Sequence, residues 1–241
     1  MSRHSLSSLF EPTSVAVVGA SSDAERIGGR VLRFLLESGF AGRIYPVNKS
    51  GLAEVQGLQA FASVSAIPGT LDQAIIVVPA GGVEAAVQDS IAKGVKCVLV
   101  LTSGFAEISP EGRAQQDRLV ALCRAAGVRM VGPNSLGLLN VGTRYFATFS
   151  TALNGLQPKA GPIALATQSG AFGSCTYAMA SLRGMGFSKI VATGNEADVD
   201  VAECIAYLAQ DPGTRVICTA LEACRDGAAL RAALLAAADA G

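Results

Sequence analysis

The sequence predicts an α/β fold made of two consecutive units, each a parallel sheet wound with helices. Three observations lead there. Short runs of Val, Ile and Leu, such as AIIVV and CVLVL, are nearly continuous, which marks strands buried on both faces. These runs alternate with stretches of helical period, the pattern of a doubly wound sheet. Hydrophobic residues make up 50% of the 241 and charged residues 16%, enough to bury two-sided sheets and too apolar for a disordered chain.

In the first unit, residues 1–150, strands are expected at SVAVVGA, GRIYPVN, QAIIVVP, KCVLVLTSG and VRMVGPN. Helical periods fall at about 28–38, 82–93 and 110–126 between them. Residues 140–161 are polar, with Gly and Pro, and read as a connection with a short antiparallel excursion at RYFATFS. In the second unit, 151–241, GPIALATQSG leads into a helix at about 171–184, SKIVATGNEADVD into one at about 199–210, and TRVICTALEA into an Ala/Leu-rich helix. Asp198 or Asp200 suits the N-cap of the second of these. Three strands and three helices make a small unit, which implies a continuation or a partner.

Gly19 ends the first strand, with Ser21 and Ser22 following as donors and N-caps before a helix. A helix N-terminus has unpaired N–H groups and the positive end of a dipole, so this stretch reads as a phosphate cradle. Gly28 and Gly29 are expected to let a ligand approach the backbone. GxGxxG and GxxxxGK[ST] are both absent. The second strand ends at Val47, Asn48 and Lys49, and Lys49 stands where a dinucleotide fold carries an acid for the ribose. A cation there favours a phosphorylated ribose, as in NADP or coenzyme A. VVPAGG, LTSGF and VGPNSLG lie at further strand ends, the edge where open α/β sheets bind ligands.

Several function classes fall away. Lys plus Arg and Asp plus Glu are equal at 19 each, so nothing points to nucleic acid. No apolar run reaches the length of a membrane helix, and MSRHSLSSLFEP does not read as a secretory signal; the expectation is a cytoplasmic protein. Six cysteines without a CxxC pair read as reduced, mostly buried thiols, and with His4 the one histidine no metal site is expected. GxSxG is absent, which sets aside a serine hydrolase.

GASSDAERIGGRVLRFLLESGFAGRIYPVNKSG resembles the CoA-binding domain of the NDP-forming acyl-CoA synthetases. AIIVVPA, TSGFAE, VGPNSLGLLN, ATQSGAFG, VATGNEADVD and ALEACRD follow in family order, so the resemblance covers roughly residues 14 to 226. It implies a Rossmann-like CoA-binding domain followed by a flavodoxin-like domain. It also implies a ligase that joins a carboxylic acid to CoA through an acyl phosphate and a phosphohistidine. By that resemblance Gly19, Ser21, Ser22, Arg26 and Ile27 would hold the pyrophosphate of CoA, and Val47, Asn48 and Lys49 the adenosine and 3′-phosphate. Val78, Pro79, Ser103, Gly104 and Phe105 would line the pantetheine track, with Asn134 near the thiol. Ser169 and Gly170 would meet the phosphoryl group, and Glu222 would orient the histidine that carries it. Taken alone, Glu222 reads as an exposed strand-end acid.

Two departures matter. No histidine follows His4, and nothing matches an ATP-grasp domain, so ATP or ADP and Mg²⁺ would come through a further domain or subunit. Ser135 stands where the family often has Cys. The expected partners are CoA or acyl-CoA, the acid and the ATP-grasp part, with a homodimer as one possible assembly. Two rival readings stand beside this one: an NADP-binding domain, and a non-catalytic module that senses acyl-CoA or mediates assembly. The acid is not specified; its pocket is expected from loops near Asn134, Gln168 and Phe172.

Overall fold

The computed structural model describes residues 6–240. His4, the histidine of the sequence, lies outside them. After a short helix α1 (Ser7–Phe10), the first unit runs β1 (Ser14–Val18), α2 (Ile27–Glu37) and β2 (Arg43–Val47). A small hairpin follows, β3 (Glu54–Val55) and β4 (Leu58–Gln59). The unit then continues with β5 (Gln73–Ile76), α3 (Ala80–Lys93), β6 (Cys97–Val100), α4 (Pro110–Ala125) and β7 (Arg129–Val131). The rest is β8 (Gly137–Asn140), β9 (Tyr145–Thr148), a 3₁₀ turn at Thr151–Leu153, β10 (Ala160–Thr167), α5 (Gly170–Leu182), β11 (Phe187–Ala192), α6 (Val201–Leu208), β12 (Val216–Ala220) and α7 (Gly227–Asp239).

The first sheet has the order β2-β1-β5-β6-β7, and every pairing is parallel. All residues of β1, β5 and β6 are buried, as their unbroken apolar runs require. The order reverses between β1 and β5, the place where such sheets open a crevice at their carboxyl ends. The second sheet has the order β12-β10-β11-β8-β9. Strands β10, β11 and β12 are parallel, while β8 and β9 pair antiparallel. The excursion expected at RYFATFS is therefore half of a β8–β9 hairpin that extends the second sheet from three strands to five. The sheets change over between Val131 and Gly137, earlier than the composition break near residue 150.

The units are joined by polar contacts as well as by a shared core. Arg129 on β7 donates through Nε to Asp198 at 2.9 Å and through Nη2 to Glu203 at 2.8 Å. Val199, Ala197 and Asn195 donate their amides to the carbonyls of Met130, Gly132 and Pro133. Tyr145 donates to Gln73, and α2 packs on β9.

Candidate functional site

Among the described residues six helices have eight residues or more. At the start of α4, α5, α6 and α7 the side chains of Ser109, Ser169, Asp200 and Asp226 accept from helix amides. Asp200 is thus the cap of α6, while Asp198 is engaged by Arg129. The starts of α2 and α3 have no side-chain cap; Arg26 and Pro79 occupy those positions. Both uncapped helices follow strands that flank the reversal point, β1 and β5. No side chain caps their first N–H groups, although in α3 the Gly82 amide donates to Pro79 O at 2.8 Å.

Between these strand tips lies a cavity of about 540 Å³, lined among others by Gly19, Val47, Asn48, Lys49, Val78 and Pro79. Those six expected CoA residues are therefore brought together. Asn48 fixes the walls: its Nδ2 donates to Ala20 O at 2.6 Å, and its Oδ1 accepts from Ser50 N at 2.7 Å. Lys49 is exposed at the mouth. Asp89, not anticipated from sequence, also lines the cavity and accepts from the amides of Val64 and Ser65.

The loop before α2 departs from the expected cradle in three ways. Ser21 Oγ accepts from Asp23 N at 3.1 Å, a local turn, and the N-cap is Arg26, so neither Ser21 nor Ser22 caps the helix. The amides of Gly19 and Ala20 both donate to Val47 O, which removes them as phosphate donors. Gly28 and Gly29 serve the fold rather than a ligand: a Cβ on Gly28 would sit 2.0 Å from Gly19 O, and one on Gly29 1.9 Å from Asp23 O. They let α2 pack onto its own loop. Ser21, Ser22, Arg26 and Ile27 form the approach to that helix and do not line the cavity.

Ser103, Gly104 and Phe105 line neither this cavity nor the next. The Phe105 ring is buried in the core beneath the loop. The amides of Gly104 and Phe105 donate to Glu107 Oε1 at 2.6 and 3.2 Å. Burial pushes the Glu107 carboxyl up, but hydrogen bonds from Asn195 and these amides outweigh it and hold the carboxyl below its ordinary value.

A second, polar crevice of about 410 Å³ lies where the two sheets meet, and Asn134, Ser169, Gly170 and Glu222 all line it. Asn134 has φ 59° and follows a cis Gly132–Pro133 bond. Its Nδ2 donates to Asn195 Oδ1 at 3.2 Å, and Asn195 in turn donates to Glu107 and to Gln116. Gln168 Oε1 accepts from the amides of Glu222 and Ala223 at 2.6 and 2.9 Å, and its Nε2 donates to Glu196 at 2.7 Å. Gln168, between β10 and α5, thereby ties the Glu222 loop to Glu196 in the loop before α6. Ser135, the position where the family often carries Cys, donates to Ala192 O and supports the turn. Glu107, Asn195 and Gln116 were not singled out in the sequence. The only local signal was a glutamate three residues after a glycine turn. Among the described residues no group of His, Cys, Asp and Glu could hold a metal ion, and no helix is long and apolar enough to cross a membrane.

Comparison with known proteins gives this geometry a family context. Residues 13–140 match the family model described as CoA binding domain, and residues 160–240 the one described as succinyl-CoA ligase like flavodoxin domain. The chain is 39% identical over 226 residues to the alpha subunit of acetate–CoA ligase [ADP-forming] I of Pyrococcus furiosus, covering 92% of this chain and 48% of that subunit. It matches the solved acetyl-coenzyme A synthetase 1 of Ca. Korarchaeum cryptofilum, in complex with phosphate and ADP, with TM-score 0.86 and 37% identity, over 92% of this chain and 46% of that one. A solved protein from Pyrococcus horikoshii OT3 gives TM-score 0.89 and 37% identity, over 95% and 51%. The chain spans about half the length of the relatives it matches.

Proposed function

Because the chain belongs to the NDP-forming acyl-CoA synthetase family, as its CoA-binding and succinyl-CoA-ligase-like parts, we propose that it binds coenzyme A across the carboxyl edge of its first sheet and presents the thiol to an acyl phosphate in the polar crevice. The carrying observation is the pair of uncapped helix starts at the reversal point, with Lys49 beside them. The pyrophosphate takes the N-terminus of α2, approached past Ser21, Ser22, Arg26 and Ile27. The adenosine 3′-phosphate pairs with Lys49, next to Asn48 and Val47. Pantetheine runs past Val78 and Pro79 and the Ser103–Phe105 loop toward Asn134.

In the crevice, Ser169 and Gly170 present the start of α5 to the phosphoryl group. The thiol proton passes to the departing phosphate oxygen as the sulfur–carbon bond forms and the carbon–oxygen bond to phosphate breaks, so hydrogen phosphate leaves. Ser135 has a poor nucleophile's hydroxyl, already engaged with Ala192 O, and takes no covalent part. The nucleotide, its Mg²⁺ and the phosphohistidine belong to an ATP-grasp part and a histidine segment outside this chain. Glu222 is the group offered to that histidine; a carboxylate on one ring nitrogen fixes which nitrogen is free to carry phosphorus.

Calorimetric titration tests the reading. CoA should bind and NADPH should not. Lys49→Glu should weaken CoA while leaving dephospho-CoA close to its original affinity, because only CoA has the 3′-phosphate. Binding of NADPH in place of CoA, or equal weakening of both CoA forms, would refute the assignment.

A further inference from the structure

Asp89 lines the cavity at the β1–β5 reversal point, and its carboxylate is turned onto a loop. Its Oδ2 accepts from Val64 N at 2.6 Å, and its Oδ1 accepts from Ser65 N at 3.2 Å and from Ser65 Oγ. One helical turn on, Lys93 Nζ donates to Ile67 O. Val64 and Ile67 are buried in the same core as Val83 and Val87 of α3. At the near end Phe61 N donates to Pro46 O, and Asn48 N to Phe61 O. Residues 61–67 are therefore fastened to β2 at one end and to α3 at the other. Ala62 and Ser63, between the fastenings, line the cavity.

Gly82, Ala85, Ala86 and Asp89 recur at helical spacing and line it too. Gly82 to Asp89 spans about 10 Å of helix, so the cavity runs from the strand tips along α3. On this face no side chain before Asp89 extends past a methyl group, which suits a planar ring. Ser63 Oγ accepts from Ala66 N at 3.2 Å and keeps its own proton for an acceptor such as a ring nitrogen. Lys49 lines the same cavity, so a ribose held there through its 3′-phosphate brings its base into this space.

Resting on the assignment of this cavity to the adenosine end of CoA, we propose that Asp89 is a positioning residue: through Val64 and Ser65 it holds Ala62 and Ser63 at the distance from α3 that admits the adenine base. The base lies on the face of Gly82, Ala85 and Ala86, and Ser63 donates to a ring nitrogen. Asp89 acts through the loop and not on the ligand. Two acceptor oxygens are needed for this; an amide has one, and would turn its NH₂ toward a donating amide.

The test uses the full chain with CoA. Calorimetric titration gives the affinity. Saturation-transfer NMR compares the signal reaching adenine H2 and H8 with that reaching the pantetheine methyls, which a general loss of binding lowers together. Asp89→Asn should weaken CoA about tenfold and lower the adenine signal relative to the methyls. Ser65→Ala is at an exposed position and removes one of the donors to Asp89; it should shift the ratio the same way by less. Ala85→Leu, also exposed, should fill the slot and abolish the adenine signal while the methyls keep theirs. A ratio unchanged in Asp89→Asn and Ser65→Ala would overturn the role of Asp89, and one unchanged in Ala85→Leu would overturn the adenine slot, with the cavity still a CoA site. Absence of CoA binding by the parent chain would overturn the assignment of the cavity and this one with it.

Discussion

Replacing Gly28 by alanine puts the packing of the CoA loop to a quantitative test. The added Cβ would lie 2.0 Å from Gly19 O and 3.0 Å from Gly19 C, against an ordinary contact beginning near 3.4 Å. The obstacle is backbone, so no side-chain rotation relieves it; α2 and the Gly19 turn must part by roughly 1.4 Å. Gly28 is buried, and Val31, Leu32 and Leu35 on the same helix are core residues that would have to follow. Overpacking of this kind costs about 1–3 kcal/mol. For a chain of this size that lowers the thermal midpoint by roughly 2–12 °C. The same displacement carries the uncapped start of α2 away from the crevice, so CoA affinity should fall by about tenfold or more, about 1.4 kcal/mol. Gly81→Ala is the matched control. It lies in α3 with nothing within 4 Å of an added Cβ, so it should raise stability by about 0.5–1 kcal/mol. Melting followed by circular dichroism, paired with CoA titration, measures both. A Gly28→Ala protein as stable as its parent and binding CoA equally well would refute the claim that this glycine holds loop and helix together.

Two further predictions follow from the electrostatics. Arg129→Met keeps the aliphatic stem but strips Asp198 and Glu203 of their shared guanidinium, which those carboxylates hold further protonated than usual against the opposing effect of burial. The acids are partly solvated, so the cost should be about 1–3 kcal/mol, read from chemical denaturation, and Asp198→Asn in a double-mutant cycle should show non-additive coupling. Additivity would show that Arg129 and Asp198 are not coupled. Asp72, Glu107 and Asp211 are each raised by burial but lowered further by their partners, to below the ordinary 3.8 of Asp and 4.5 of Glu. Such groups stabilise the fold fully above those ordinary values, and the contribution is lost as pH falls through the depressed ones. The thermal midpoint should be level above about pH 5 and drop steeply in more acid solution; a midpoint rising on acidification would contradict the sign.

Much of this architecture was legible in the chain. Burial on both faces writes a continuous apolar run, so VAVV, AIIV and CVLV announced their strands, and the helical periods read at about 110–126 and 171–184 fall on helices Pro110–Ala125 and Gly170–Leu182. Asn134, Ser169, Gly170 and Glu222 come from distant parts of the sequence, yet all stand just beyond strand ends, and the crevice where the two sheets meet collects them. What stayed hidden depended on partners far along the chain. GLLN carries no mark that it pairs antiparallel with β11, beyond the boundary expected near residue 150, because apolar periodicity reports burial and not the neighbour. The role of Gly28 is set by Gly19 O, nine residues earlier, and Glu107 owes its place to amides and an asparagine that only folding brings within reach. Arg129 reads as an ordinary surface charge until Asp198 and Glu203 meet it.

The most direct measurement is a crystal structure of this chain with CoA bound. The account predicts the molecule extended over the tips of β1, β2 and β5, with its 3′-phosphate within about 4 Å of Lys49 Nζ and its sulfur in the crevice beside Asn134. CoA lying away from this edge, or with its adenosine end remote from Lys49, would contradict it.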